Sequence, residues 1–507
     1  MATSIFEAGK NELLSLTPFQ RSMHTIDNNG EIASNFYRPY IKSTWHSNIL
    51  TKLKSMRDGE ETVYTVNKSF HFLNYTYIRF VTGPQKVKDI YKKRVRICWP
   101  HNLGHNVIPQ AQFKEDEITF QSFDNIWLDI ASRFFEKEGA GKRETYDIGV
   151  GNVKCMENWS EYLPAYHINF SQPWFYSLDS GSAFPIFYRN SQVRAEHRYL
   201  FKKSTLDLLR VQVLKKSGIW EDVSPKKFSR YVDMTECFKI PELWGNYSLI
   251  TDNELSWLKG ECEEMTDWNS YYNENNEVLG KERVLYIRDI VPCETANSSR
   301  YGSPTEITLL SDSPCIAWFC VAENLDATEI HNFSNYTTNT NSLYDGWDPI
   351  KNFTLTLGTS KILNAIPYDH LSLSQPYHHF KSCSTQRGYY GYSNTHDASS
   401  YNGVVGLTYS NMNAKLQCYI DDCNIFNINS NREEESDDKD DDDIAPPGLF
   451  DGETVKLESS TLHVSEPSQI QQQTNGPQFQ THVRLYVVRK FCIRQEVNSD
   501  KYHFYIQ

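Results

Sequence analysis

Fifteen histidines and eleven cysteines are spread through the 507 residues, and a metal centre or an acid–base pair would have to be built from them. His378-His379 is the sharpest pair, but adjacent side chains of an extended chain project to opposite faces and cannot share one ion, so a structural role is favoured. His101 and His105 flank Gly104 at a spacing that suits chelation on a helix. Pro100 and Gly104 argue against a helix there, and hydrogen bonds across a turn are expected instead. The cysteines, at Cys98, Cys155, Cys237, Cys262, Cys293, Cys315, Cys320, Cys383, Cys418, Cys423 and Cys492, contain no CxxC pair. Cys315 with Cys320 and Cys418 with Cys423 come nearest, yet five residues along a strand place two thiols on opposite faces. Mostly buried thiols in a reducing compartment are therefore expected, without structural zinc.

Motif chemistry is equally sparse. There is no Gly-x-Ser-x-Gly elbow, Walker loop, dinucleotide fingerprint or His-Glu-x-x-His, and Gly139-Ala-Gly-Lys-Arg143 lacks the residues of a phosphate loop. Carboxylates are plentiful, but nothing singles out the two that a glycosidase needs. The aromatic clusters Trp174-Phe-Tyr176, Tyr271-Tyr272 and Tyr389-Tyr390 could stack on sugars; core and interface packing is the favoured reading. The expectation is thus no enzyme, no catalytic, cofactor-binding or metal residues, and no cofactor.

The elements around these residues read as β. Aromatic residues make up 14% of the chain, and Gly, Pro, Asn and Ser fall between short apolar runs, the punctuation of strands and turns. Strand-like runs recur at Phe36 to Ile41, Glu61 to Val66, Tyr75 to Val81, Arg94 to Trp99, Ile118 to Phe123, Ala165 to Phe170, Val193 to Phe201 and Leu208 to Leu214. A second series begins at Arg283 and includes Glu306 to Leu310, Ile316 to Val321, Asn352 to Leu357, Gly388 to Tyr392, Gly403 to Tyr409, Ala414 to Ile420 and Val483 to Val488. Between strands, Phe123 to Glu136 carries apolar residues at 123, 126, 127, 130, 134 and 135, which fits one helical face and predicts an inserted loop helix.

Charge and composition bound the partners. A formal net charge of −13 gives the whole chain no electrostatic reason to coat nucleic acid, so no direct nucleic-acid contact is expected. Basic residues from Lys86 to Arg96 are expected at a solvated edge or a subunit contact. The start lacks the basic-then-apolar pattern of a secretory signal and no run approaches a spanning length, so synthesis in the cytosol is expected. Sequons at Asn74, Asn158, Asn169, Asn246, Asn297, Asn332, Asn335 and Asn352 imply no sugar by themselves. The run Arg432 to Asp443 and the polar stretch to Gln480 cannot pack a core and predict a long exposed loop; a cation site is disfavoured because the ligand spacing of an EF-hand is missing.

The expected organisation is an N-terminal arm over 1–34, a first β domain over 35–258, a polar linker over 259–282 and a second β domain over 283–507 that includes the exposed acidic and polar insertion 432–480.

Around Pro164-Ala-Tyr-His-Ile-Asn-Phe-Ser-Gln-Pro-Trp-Phe-Tyr176, continuing through Ala183-Phe-Pro-Ile-Phe-Tyr188 and Val193-Arg-Ala-Glu-His-Arg-Tyr-Leu200, the chain resembles the double jelly-roll major capsid proteins of nucleocytoplasmic large DNA viruses. Further phrases similar to that family follow in its order: Asn102-Leu-Gly-His-Asn-Val-Ile108, Asn125-Ile-Trp-Leu-Asp129, Asn246-Tyr-Ser-Leu-Ile-Thr-Asp-Asn-Glu-Leu255, His331-Asn-Phe-Ser334, Trp347-Asp-Pro-Ile350, Ser374-Gln-Pro-Tyr-His-His379, Gly388-Tyr-Tyr-Gly-Tyr-Ser393, Gly406-Leu-Thr-Tyr-Ser410 and Val483-Arg-Leu-Tyr-Val-Val488. Each phrase is loose, and their collinearity carries the resemblance. It spans roughly residues 30 to 507.

The resemblance implies an all-β chain of two tandem eight-stranded jelly-roll sandwiches with inserted loops and short loop helices. It also implies a structural subunit of an icosahedral capsid, located in the virion, self-assembling as a homotrimer that serves as a pseudo-hexameric capsomer. Assembly in the host cytoplasm, contacts with neighbouring capsomers and minor capsid proteins, and an internal membrane beneath the shell follow from the same source as expectations. The alternatives are a carbohydrate-binding or glycan-hydrolysing β-sandwich protein, or a capsid-like scaffold or minor capsid paralogue.

Overall fold

The computed structural model describes residues 47–135, 142–177, 183–187, 194–202, 204–233, 240–250, 252, 255, 270–272, 278–293, 304–309, 315–382, 386–395, 398, 414–420, 481–496 and 502–505. The expected arm, the strands at Phe36 to Ile41 and Gly403 to Tyr409, the Gly139-Ala-Gly turn and the 432–480 insertion lie outside them.

The first half pairs two five-stranded sheets. Strands β1 (Ser47–Lys52), β4 (Phe72–Thr82), β7 (Tyr166–Ser171), β8 (Phe184–Pro185) and β10 (Glu242–Leu249) form one, in the order β1-β10-β4-β7 with β8 also on β4. Strands β2 (Lys54–Asp58), β3 (Glu61–Thr65), β5 (Gln110–Glu115), β6 (Ile118–Asp124) and β9 (Ala195–Leu200) form the other, in the order β2-β3-β9-β5-β6. Every pairing is antiparallel.

Period-two alternation explains why these segments are strands. Ile168 and Phe170 of β7 point inward while His167 and Asn169 face out; Ala195, His197 and Tyr199 of β9 point inward in the same way. The interior between the sheets is aromatic: Phe113 meets Phe184 with ring centres 4.9 Å apart and Tyr176 at 5.4 Å. Trp174, Phe175 and Tyr176 are all buried here, which rules out the sugar-stacking reading for that cluster.

The second half repeats the plan with a different balance. A six-stranded sheet joins β11 (Ser270–Tyr272), β12 (Val278–Cys293), β14 (Cys315–Asn324), β17 (Tyr389–Ser393), β19 (Thr481–Glu496) and β20 (Tyr502–Tyr505), in the order β11-β12-β19-β14-β17 with β20 also on β19. A four-stranded sheet, β13-β18-β15-β16, contains β13 (Pro304–Thr308), β15 (Ile350–Leu357), β16 (Ser360–Pro367) and β18 (Ala414–Ile420). Strand β11 and the start of β12 fall within the stretch 259–282 read as a linker. The Glu- and Asn-rich composition there signals solvent, but an edge hairpin satisfies its backbone in the ladder whatever its side chains do.

Strand β14 and the described part of β19 carry buried side chains on both faces of the six-stranded sheet. Along β14, Trp318, Cys320 and Ala322 enter the core of the second sandwich, whereas Ala317, Phe319 and Val321 enter a core continuous with the first. Strand β19 divides likewise, with Val483, Leu485 and Val487 on one side and Tyr486 and Val488 on the other. Two-sided burial is why Cys315-Ile-Ala-Trp-Phe-Cys-Val-Ala322 is an unbroken apolar run rather than an alternating one.

Within that run the parity argument for the cysteines fails. A register shift between Cys315 and Ala317 inserts an extra residue, so Cys315 and Cys320 enter the same core.

Candidate functional site at the junction of the two sandwiches

The junction is organised around helix α2 (Asn125–Phe134), entered directly from β6. Asp124 caps it, its carboxylate accepting from the Trp127 amide at 2.8 Å, which satisfies one of the open amides of the first turn. The apolar stripe expected from the sequence is present, and every residue from Ile126 to Phe134 is buried. Its apolar side packs on the second half. Phe319 lies 4.9 Å from Phe134, 5.8 Å from Trp127 and 5.3 Å from Phe135, and Trp127 lies 5.8 Å from Tyr486.

The polar side of α2 is satisfied by partners from distant sequence. The Asp129 carboxylate accepts from Asn102 Nδ2 at 2.8 Å, from the Tyr336 hydroxyl at 2.8 Å and, on Oδ1, from His105 Nδ1 at 2.6 Å. Burial pushes the His105 imidazole below its ordinary range despite the carboxylate, so the ring is neutral. Nδ1–H then donates to Asp129, and Nε2 accepts from the Tyr146 hydroxyl at 2.8 Å. Tyr336, buried beside that carboxylate, is held protonated well above the usual tyrosine range, first by desolvation and then by Asp129.

His101 belongs to the same cluster. Its Nδ1 lies 2.6 Å from Glu157 Oε1, and its Nε2 lies 3.1 Å from Arg133 and 2.9 Å from Gln386 Nε2. Contrary to the expectation from Pro100 and Gly104, a short helix α1 (Leu103–Asn106) does form. Asn102 takes the left-handed conformation that Pro100 alone does not forbid, and Gly104 is required because a Cβ there would stand 2.9 Å from Phe170. Hydrogen bonds do cross the turn, the His101 carbonyl accepting from Asn106 Nδ2 at 2.9 Å and the His105 amide donating to the Asn102 carbonyl at 3.0 Å, while the two rings bond to remote elements.

Further links cross the junction. Asn106 Nδ2 donates to Ser334 Oγ at 2.9 Å, Tyr486 Oη to Asp124 at 2.7 Å, Gln121 Nε2 to the Arg288 carbonyl at 3.0 Å, Arg210 to Asn332 at 3.1 Å and to the Asn341 carbonyl at 3.3 Å, and Ser382 Oγ to the Arg133 carbonyl at 2.6 Å. Asn332 and Asn335, two of the sequons, are buried in this region, where no sugar could be attached to the folded chain.

The remaining sequence candidates do not converge here. His378 and His379 lie on a short helix, α3 (Gln375–His379), initiated by Pro376, and not on an extended segment. Neighbours on a helix still diverge, and their rings stand 6.3 Å apart. Tyr389 and Tyr390 are buried in opposite cores; the side chains of Tyr271 and Tyr272 lie outside the described residues. In the basic stretch, Lys86 and Lys92 both pair with exposed Asp89, at 3.0 and 2.9 Å, holding its carboxyl down at about 2. Arg96 is covered by Trp220 at 4.2 Å and bonds Gln212. Among the described residues no group of three or more His, Cys, Asp or Glu could hold a metal ion, and no helix is long and apolar enough to cross a membrane. The chemistry of the junction is cohesion between two sandwiches.

No family model matches the sequence. It is 24% identical over 390 residues to the major capsid protein of Tipula iridescent virus, covering 71% of this chain and 76% of that relative, and 25% identical over 395 residues to the one of Simulium iridescent virus, covering 71% and 75%. The fold is similar to the Faustovirus major capsid protein, with a TM-score of 0.59 at 6% identity over 94% of this chain and 93% of the other. The PBCV-1 virus capsid model gives 0.58 at 11% identity over 90% and 97%. The fold is the double jelly roll. Both of these relatives and both of these solved structures are capsid proteins.

Proposed function

We propose that three copies of the chain associate into a six-lobed capsomer, each copy supplying two lobes, and that such capsomers tile an icosahedral shell. The observation that carries this reading is the junction. Two sandwiches fused through a buried aromatic and hydrogen-bonded seam move as one body, and a tile whose lobes kept fixed relative positions needs that rigidity. In this reading the lobes correspond to residues 35–258 and 283–507, with the arm 1–34 available for contacts between copies.

Exposed apolar residues supply material for such contacts. Leu50, Met56, Ile362, Leu373, Trp347 and Tyr377 are all more than half exposed or nearly so, whereas the described core is densely filled. Neighbouring capsomers, minor capsid proteins and an internal membrane beneath the shell are the further partners of this reading, with synthesis and assembly in the host cytoplasm. Direct contact with the genome is not part of it, given the net charge of −13. Sedimentation of the purified full chain tests the proposal. A stable species of three times 59.0 kDa supports it, and a monomer at micromolar concentration contradicts it.

A further inference from the structure

We propose that Cys320 and Cys418 are the site of an intersheet disulfide that seals the second sandwich. Cys320 lies on β14 and Cys418 on β18, in the two facing sheets, and both are fully buried in the same core. Register places each beside an aromatic residue of its own sheet. Cys320 stands opposite Tyr390 on the neighbouring strand, Cys418 stands opposite Phe353, and the Tyr390 and Phe353 rings meet across the sandwich at 5.0 Å. The two thiols therefore occupy one layer of the core, and they are close enough to hydrogen-bond to each other.

Trp318 flanks the same layer, 6.2 Å from Phe353. Immunoglobulin-type sandwiches accept an intersheet disulfide packed against a buried tryptophan, so a sandwich of two facing sheets can hold such a bond. The pairing is also one that spacing in the sequence conceals, because each cysteine has a nearer neighbour in the chain than the partner it faces.

Formation removes two protons and two electrons from the thiols. A small-molecule disulfide such as oxidised glutathione takes the electrons. One protein thiolate attacks it, releasing one thiol and leaving a mixed disulfide; the second protein thiolate then displaces the other thiol and closes the S–S bond. Burial raises the Cys320 thiol well above its ordinary range, so little thiolate exists in the closed sandwich. Exchange therefore takes place while the two sheets are still apart, and closure then shields the bond from reductant. Once formed, the bond makes a covalent ring of the segment that carries β15, β16, α3 and β17, restricting the unfolded chain.

The test uses the full chain synthesised without cells in either reduced or oxidised glutathione, followed by alkylation under denaturing conditions and peptide mass mapping. The expected result is a peptide pair joined through Cys320 and Cys418 only in the oxidising mixture, while folded reduced protein resists the same oxidant. The oxidised form should melt several degrees higher than the reduced form, a difference abolished in Cys418→Ala and equally in Cys320→Ala. Soluble protein from the oxidising mixture with both cysteines alkylated would overturn the proposal. So would a linkage of either one to Cys315 or Cys293.

Discussion

The Tyr336 hydroxyl reaches Asp129 at 2.8 Å, so a side chain from the second half completes the donor set of a buried carboxylate in the first. Asn102 and His105 supply the other donors from the first half. The contact joins residues 207 positions apart in the sequence and sits where both are fully shielded from water.

Removing that hydroxyl should loosen the junction. Tyr336→Phe leaves the ring packed on Tyr389 but deprives Asp129 of one donor, at an expected cost of about 1–3 kcal/mol. Urea unfolding checks this: the midpoint should fall with the slope unchanged, the sign of lost stability in a native state of unaltered compactness.

Gly388 supports the same tyrosine from behind. Its φ is +88°, and a Cβ there would stand 2.2 Å from the Tyr336 carbonyl oxygen. Gly218, at φ +81° with open space around it, is the control. Gly218→Ala should cost only the roughly 1–2 kcal/mol of a left-handed backbone, whereas Gly388→Ala should cost more because Tyr336 must also move. Thermal melts of the two variants give the difference directly.

Phe319 is the apolar counterpart, in ring contact with Trp127, Phe134, Phe135 and Phe380. Phe319→Ala should destabilise by about 3–5 kcal/mol and separate the unfolding of the two halves into distinct calorimetric transitions. Phe353→Ala, whose ring belongs to the second core alone, should destabilise comparably without that separation.

Acid should weaken the first sandwich through His197. The ring is buried between Phe113 and Trp174, with Nε2 3.0 Å from the Tyr176 hydroxyl, and burial pushes its pKa down to about 3. The unfolded chain binds this proton near the ordinary value of 6.5, so stability is full above that pH and declines as pH falls from 6.5 towards 3. At pH 5 the loss from this residue is about 2 kcal/mol. His105, lowered for the same reason, adds in the same direction. The stability of His197→Gln measured from pH 7 to pH 5 should fall less steeply than that of the parent protein.

The strands of both halves were legible because alternation is a local signal: Ala195-Glu-His-Arg-Tyr-Leu200 shows its buried face in six residues. The apolar run of β14 was legible as a strand too, although only the structure explains its lack of alternation, since the covering layer comes from α2. Helix α2 was legible from its stripe, but its burial on every side was not. The polar side of the helix gave no local signal, because Tyr336 bonds Asp129 and Ser382 bonds the Arg133 carbonyl from more than 200 residues away along the chain. Gln386 reaches His101 from a similar distance, whereas His105 meets Asp129 and Tyr146, 24 and 41 residues away, through contacts that no local pattern displays. For Cys315 and Cys320, one bulged residue in the strand reversed the parity on which the argument rested.

Low-resolution imaging of the purified full-length particle tests the central claim most directly. Three copies of a rigid two-lobed chain predict a threefold-symmetric object with six lobes of nearly equal size, close to hexagonal in projection. Isolated two-lobed particles, or a ring whose lobes number other than six, would contradict it.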